Sequence, residues 1–174
     1  MASLFDTLEL GAFRAGITAR TEESKKWFQA NIKKLGQVNR TSLLKDDALD
    51  PVTKTVFGNM YMYFYDPKYK DTLPYYDAFP LVIMMGPAKG GFYGLNLHYL
   101  PPVLRAKALD ALLGEGELPM KFIKPTIHRY LTKHVKSRFA LVDKPEWEIA
   151  TFLPTQDFRK ASSGTVYRDS RGKM

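Results

Sequence analysis

The chain has 174 residues, 45 % of them apolar, enough to bury one sizeable core in a single domain with extensions at its ends. It has no cysteine, which excludes disulfides and thiolate metal sites, and no apolar run near the ~20 residues of a membrane-spanning helix. The net charge of +8 is uneven, with seven Lys/Arg against four Asp/Glu in residues 1–40, seven against nine in 41–120 and twelve against five in 121–174.

A basic C-terminal third attracts polyanions or acidic protein faces; the alternative is a solvated face that only maintains solubility. Residues 1–20 show no clear period and are expected to form an extended arm. Leu4, Phe5, Leu8, Leu10 and Phe13 would be covered by the body or by a neighbouring subunit. The start MASLFDTLEL has neither the basic stretch nor the apolar core of a secretory signal, so a soluble protein made in the cytoplasm is expected.

Thr21 is a good helix N-cap, with Glu22 and Glu23 in the first turn, Trp27, Phe28, Ile32 and Leu35 at helical spacing, and Gly36 as a stop. Residues 37–55 read as a polar connection with a turn at Asp50-Pro51. Met60–Tyr65 alternates. Met60, Met62 and Phe64 face one side and Tyr61, Tyr63 and Tyr65 the other, which predicts a strand covered on both faces. Leu81–Met85 and Phe92–Tyr99 are the next strands, joined by a Gly86–Gly91 turn that reads as too long for a two-residue hairpin. Gly94, Asn96 and His98 share one face of the third strand, and Gly94 leaves room there for a close neighbour.

Pro101-Pro102 opens a helix that ends near Leu113, before Gly114. Pro125 is expected to open another, running to Arg138. Phe139–Val142 and Glu148–Leu153 read as two strands paired around Lys144-Pro145. Residues 154–174 read as a basic tail with a short helix around Val166. The fold class is α+β, a small antiparallel sheet with flanking helices and extended basic termini. The divisions are an arm at 1–20, a domain at 21–153 and a tail at 154–174.

Met60–Pro102 holds eight tyrosines and three phenylalanines but no cluster of acids, bases or nucleophiles. It is expected to build an aromatic core or subunit-contact surface, not a substrate pocket. Stacking on bases is the alternative, but Tyr61–Tyr65 contains no cation. His98 falls in a strand, and His128 and His134 lie six apart on the expected helix, a spacing that suits no metal. His134 is expected to be hydrogen-bonded on a packed face. The glycines at 86, 90, 91 and 94 match no phosphate loop, and no Ser-His-Asp series is visible. No enzyme activity, cofactor or metal is implied.

The chemistry that remains is cationic. On a Pro125–Arg138 helix, Arg129, Lys133 and Lys136 would share one face opposite Ile127, Tyr130, Leu131, His134 and Val135. Lys121, Lys124 and Arg138 would stand at its ends, and no acid occurs between Lys121 and Arg138. Such a face fits phosphates or an acidic partner. From Arg159 onward, Arg159, Lys160, Arg168, Arg171 and Lys173 face only Asp169.

Asp66-Pro67-Lys68, Leu73-Pro74-Tyr75-Tyr76-Asp77-Ala78-Phe79-Pro80 and Gly91–Pro102 resemble small virion proteins of T-even-type contractile-tailed phages, the DNA end protector family. Phe158-Arg159-Lys160-Ala161-Ser162, Val166-Tyr167 and Asp169-Ser170-Arg171 fit the same pattern. The resemblance implies a virion component near the packaged DNA end, the head–tail neck, the tail or the baseplate. Its partners would be other phage structural proteins and DNA, with no membrane, in a homo-oligomer or ring. A free nucleic-acid-binding protein is the competing class.

Overall fold

In the computed structural model, which describes residues 3–46, 48–114 and 116–172, the alternating segments become strands of one antiparallel sheet. Along the chain come α1 (Leu4–Arg14), α2 (Glu22–Lys33), α3 (Arg40–Leu44), β1 (Leu49–Val52), β2 (Met60–Met62), β3 (Tyr76–Asp77), β4 (Leu81–Ala88) and β5 (Gly91–Asn96). There follow α4 (Pro102–Leu112), α5 (Met120–Ile123), β6 (Ile127–Leu131), β7 (Phe139–Val142), α6 (Trp147–Phe152), β8 (Phe158–Arg159) and α7 (Ser163–Gly172). The main sheet has the order β1-β7-β2-β4-β5-β6, and β3 pairs with β8 in a separate ribbon. The α+β class holds, with helices flanking a small sheet.

Both faces of the sheet are covered, as the alternation at Met60 predicts. Met60, Met62, Leu81, Ile83, Leu95, Ala140 and Val142 face the helices and join Phe5, Phe28, Leu109 and Phe152 in the main core. Tyr61, Tyr63, Val82, Met84, Phe92 and Tyr130 turn the other way and pack on one another, with Tyr65, into an aromatic cluster. Within it, Tyr63 meets Phe139, Tyr130, Phe92 and Tyr65 at ring-centre distances of 5.0–6.2 Å, mostly edge to face, the arrangement that ring quadrupoles favour.

Local signals at α2 and α4 act as read. Thr21 Oγ1 accepts from Ser24 N while Thr21 N donates to Ser24 Oγ, a reciprocal cap, and Gly36 takes φ +69° beyond the helix. Pro102 opens α4.

Several expectations are corrected. Residues 4–14 form helix α1, not an extended arm. Ser3 Oγ caps it from Asp6 N at 2.9 Å, and Phe5, Leu8 and Ala12 enter the main core. The period is masked in the sequence because Leu10 and Phe13 stand off that stripe and are exposed. At its other side Glu9 meets Glu146, whose carboxyl is pushed up to about 7 by burial and by its acidic neighbour. Asp50-Pro51 lies within β1, an edge strand, where the missing proline N–H can face outward. The β4–β5 hairpin is a two-residue turn after all. Ala88 pairs with Gly91, Gly90 takes φ +78°, and a bulge at Met85 absorbs the odd residue.

Pro125–Arg138 is not a helix. Residues 127–131 are edge strand β6, paired from Gly91↔Leu131 to Leu95↔Ile127. The outer edge of β5 needs partners for its N–H and C=O groups, and this demand overrides a helical period of about four turns. Glycine makes the pairing possible, since a Cβ on Gly91 would sit 1.8 Å from Tyr130 O. Glu148–Leu153 does not pair with Phe139–Val142. Residues 147–152 form α6, and β7 instead lies between β1 and β2. Residues 147–153 are all buried, so no alternation could distinguish helix from strand there. The C-terminal segment is not an extended tail, though the helix expected around Val166 is present. It ends in α7, with Val166 fully buried.

Gly94 is a point of tight packing among β4, β5 and β6. An added Cβ would lie 2.2 Å from Val82 Cγ1 and 3.2 Å from the Tyr130 ring. Gly94→Ala is therefore expected to destabilise the protein by about 1–3 kcal/mol through overpacking, read as a lowered midpoint in urea with unchanged slope. A neutral effect would mean that β6 does not hold Tyr130 against β5.

Candidate nucleic-acid interface

The cations of the 121–138 segment all reach solvent, but not from one helix face. Lys121 lies in α5, Lys124 in a 3₁₀ turn, Arg129 on edge strand β6, Lys133 in the 3₁₀ turn Thr132–His134, and Lys136 and Arg138 on the connection to β7. That connection is fixed by its backbone. Lys136 N donates to Phe64 O at 2.8 Å, Asp66 N to His134 O at 3.0 Å, and Phe64 N to Ser137 Oγ at 2.9 Å. His134 Nδ1 meets Asp66 O at 3.0 Å, so this histidine is hydrogen-bonded as expected, though not on a helix. Among the described residues none of these six cations forms an ion pair.

The C-terminal cations differ. Arg159 forks onto Asp157 at 2.9 and 2.8 Å. Lys160 Nζ donates to the carbonyls of Lys70, Asp71 and Leu73 and so fastens the 66–73 loop. Arg168 reaches Thr165 Oγ1 at 3.3 Å. Arg171 lies in α7 with its side chain outside the described part, and Lys173 lies outside the described residues.

Beside β6 the aromatic segment forms something the sequence did not suggest, a pocket of about 330 Å³. Tyr65, Tyr69, Tyr75, Tyr99 and Tyr130 line it, with Lys68 and Arg129 among its cations. It lies at the low end of the ~300–1,000 Å³ typical of ligand sites. Its tyrosines come from four separate stretches of chain, so no local spacing could reveal it.

Beneath the pocket lies a buried polar network, also unseen in the sequence. Asp77 Oδ2 meets His98 Nδ1 at 2.7 Å and accepts from Asn96 Nδ2 at 2.9 Å. Asp77 Oδ1 accepts from Phe79 N at 3.0 Å and Asp157 N at 3.1 Å. His98 Nε2 meets Thr155 Oγ1 at 2.7 Å. His98 lies in the 3₁₀ turn Leu97–Tyr99, not in a strand. Arg105, fully buried, donates to the carbonyls of Leu100 and His98 and to Tyr167 Oη at 2.6, 3.2 and 2.9 Å.

Thr155–His98–Asp77 has the connectivity of a hydroxyl–imidazole–carboxylate series. Thr155 and His98 are nevertheless wholly buried, and neither lines the pocket. A nucleophile needs an approach for the carbon it attacks, so the series serves as a structural tie. Among the described residues no group of three or more His, Asp or Glu is gathered to hold a metal, and no helix is long and apolar enough to cross a membrane.

Burial alone would raise the Asp77 carboxyl. The His98 ring beside it and the N–H donors of Asn96 and Phe79 more than offset this and hold it at about 2. Burial lowers His98, which is thus neutral, donating from Nδ1 to Asp77 and accepting at Nε2 from Thr155. Both shifts act in the same direction. A carboxyl depressed on folding stabilises above its unfolded range, and that contribution fades as pH falls toward 2. A depressed histidine begins to oppose folding once pH drops below its ordinary 6.5. Asp77 accounts for roughly 2 kcal/mol of this acid-side loss, while Glu146, whose carboxyl is raised on folding, acts in the opposite sense as pH rises toward 7. Asp77→Asn should cost about 3 kcal/mol at pH 7 and flatten the acid limb in urea titrations. An unchanged acid limb would contradict this assignment.

No curated protein and no solved structure matches the chain. The model of one family, described as phage T4 terminal DNA protecting protein, matches residues 10–117. This span runs from α1 to just past α4, so it contains the aromatic segment, Asp77, His98 and Arg105 and stops short of the 121–138 cations. As it covers well over half of the sequence, the chain belongs to the phage T4 terminal DNA protecting protein family.

Proposed function

We propose that the chain is a non-enzymatic component of the phage particle that covers DNA ends by contacting phosphates without regard to sequence. Lys121, Lys124, Arg129, Lys133, Lys136 and Arg138 make the contacts. The observation that carries this reading is their availability: six exposed cations in eighteen residues, no acid among them and no ion pair among the described residues. Phosphate binding needs cations that do not have to leave an existing partner. Arg159 and Lys160 have such partners and drop to supporting roles, while Arg168 remains at the margin. The family's name supplies the target, a terminal stretch of DNA.

A solvated edge is the simpler alternative, since charge on an outer strand also blocks pairing with another sheet. A protein-binding role has support of its own. Phe13, 79 % exposed, and Leu10 project from α1, and Val56, Phe57 and Met85 are exposed as well. These apolar side chains suit contact with a second copy or another particle protein, in a ring at the neck, the tail end or the baseplate.

The salt dependence of binding to linear duplex separates these readings. Affinity should fall with a log–log slope of about −0.9 per phosphate neutralised. Changing Arg129, Lys133 and Lys136 together to glutamine should reduce the magnitude of that slope by roughly two to three. An unchanged slope would remove these residues from the interface. Absence of binding at low salt, with assembly lost in the triple variant, would make the partner a protein.

A further inference from the structure

The tyrosine pocket beside β6 has chemistry that phosphate contact alone does not use. Tyr65 and Tyr130 are more than nine-tenths buried and line it. Each hydroxyl already accepts an N–H bond, Tyr65 Oη from Leu131 N at 2.8 Å and Tyr130 Oη from Asn96 Nδ2 at 3.1 Å. Each therefore keeps a proton to donate, and among the described residues no acceptor takes it. Buried hydroxyl donors ordinarily find acceptors. The pocket thus calls for an acceptor-bearing guest.

The walls restrict that guest further. Tyr99 and Tyr75 offer rings within the pocket, and Tyr69, 58 % exposed, stands at its mouth. Lys68 Nζ sits 5.3 Å from the Tyr69 ring centre, and Arg129 is exposed on the β6 side, so both cations are available at the rim. A flat, acceptor-rich body bearing a negative charge suits rings, hydroxyl donors and cations together. The loop that forms the mouth is fastened before any guest arrives, by Lys160 on its carbonyls and by Lys70 on Asp66 at 2.9 Å.

We infer that this pocket takes the terminal nucleotide of a DNA strand, with its base against the tyrosine rings and its phosphate against Lys68 and Arg129. The inference rests on the reading that the chain meets DNA ends, and it adds how an end is told from an interior. A base inside a duplex is stacked on both sides and must be extruded at high cost, whereas a terminal base gives up one stacking partner. Arg129 belongs both to the pocket and to the cationic segment, so the end can be seated while the flanking phosphates lie along 121–138.

The test uses the full chain and blunt linear duplexes carrying 2-aminopurine either at the terminal position or in the interior. Binding should quench the terminal probe and leave the interior one unchanged. Tyr69→Ala removes an exposed ring without touching the core. It should relieve the quench and weaken binding to linear duplex about tenfold, the loss of one stacking contact, while affinity for covalently closed circular DNA and the salt slope stay as in the parent. Tyr65→Phe, which removes the hydroxyl donor together with the acceptor of Leu131 N–H, should relieve the quench in part, and Thr53→Ala, at an exposed position outside both surfaces, should do nothing. If both probes respond alike in a protein that binds DNA with the expected salt dependence, the pocket assignment is wrong and the phosphate reading stands. If neither tyrosine variant alters the terminal quench, the assignment is likewise overturned. If no duplex binds at low salt, both readings fall.

Discussion

One carboxylate organises this fold. Asp77 is buried among four donors drawn from three parts of the chain: Asn96 at the end of β5 with His98 just after it, Phe79 just beyond β3, and Asp157 before β8. An ionised group at that depth is tolerable only if every lone pair is engaged. Meeting that requirement fixes the relation of the β3–β8 ribbon to the main sheet. Arg105 brings a second buried charge to the same region. It holds the ends of α4 and α6 and the Tyr167 hydroxyl of α7, where its ring faces Phe158. The C-terminal segment is therefore part of the polar interior.

The sheet explains why the family match and the folded unit differ in extent. β7, outside the matched residues, lies between β1 and β2, both inside them. Without β7 the strands on either side would have unpaired inner edges, and without β6 the Phe92 side of β5 would lose the cover of Tyr130. The residues beyond 117 thus complete an architecture that the earlier ones begin. They also deliver the cations: the chain that closes the edge as β6 continues along 64–66 and carries Lys133, Lys136 and Arg138 toward β7.

Much of the fold was legible where local chemistry and tertiary demand agree. The Thr21 cap, the two-faced alternation at Met60, the Pro102 start and the tight approach at Gly94 each follow from residues within a few positions. Legibility failed where tertiary pairing decides. Ile127–Leu131 carries its apolar residues at 127, 130 and 131, a helical spacing, and only the open edge of β5 selects the strand. Residues 147–153 are buried all round and carry no period. The pocket and the Asp77 network assemble side chains that are dozens of residues apart, so single-residue cues were weak: an aspartate after two tyrosines, and a histidine two places from an asparagine. The cations were legible as a set, while their arrangement as a helix face was not.

On the proposed reading two surfaces share Arg129: a set of cations that form no ion pair among the described residues, and an aromatic pocket at their side. The first fits phosphates and the second fits a base, so their junction suits the place where a strand ends. Amide hydrogen exchange, with and without a blunt linear duplex, examines that junction directly, because β6 has one edge free of the sheet. The account predicts slowed exchange in residues 119–138 and in the 66–73 loop, with α1 and α2 unchanged. Slowed exchange confined to α1 and α2, with residues 119–138 unaffected, would contradict it.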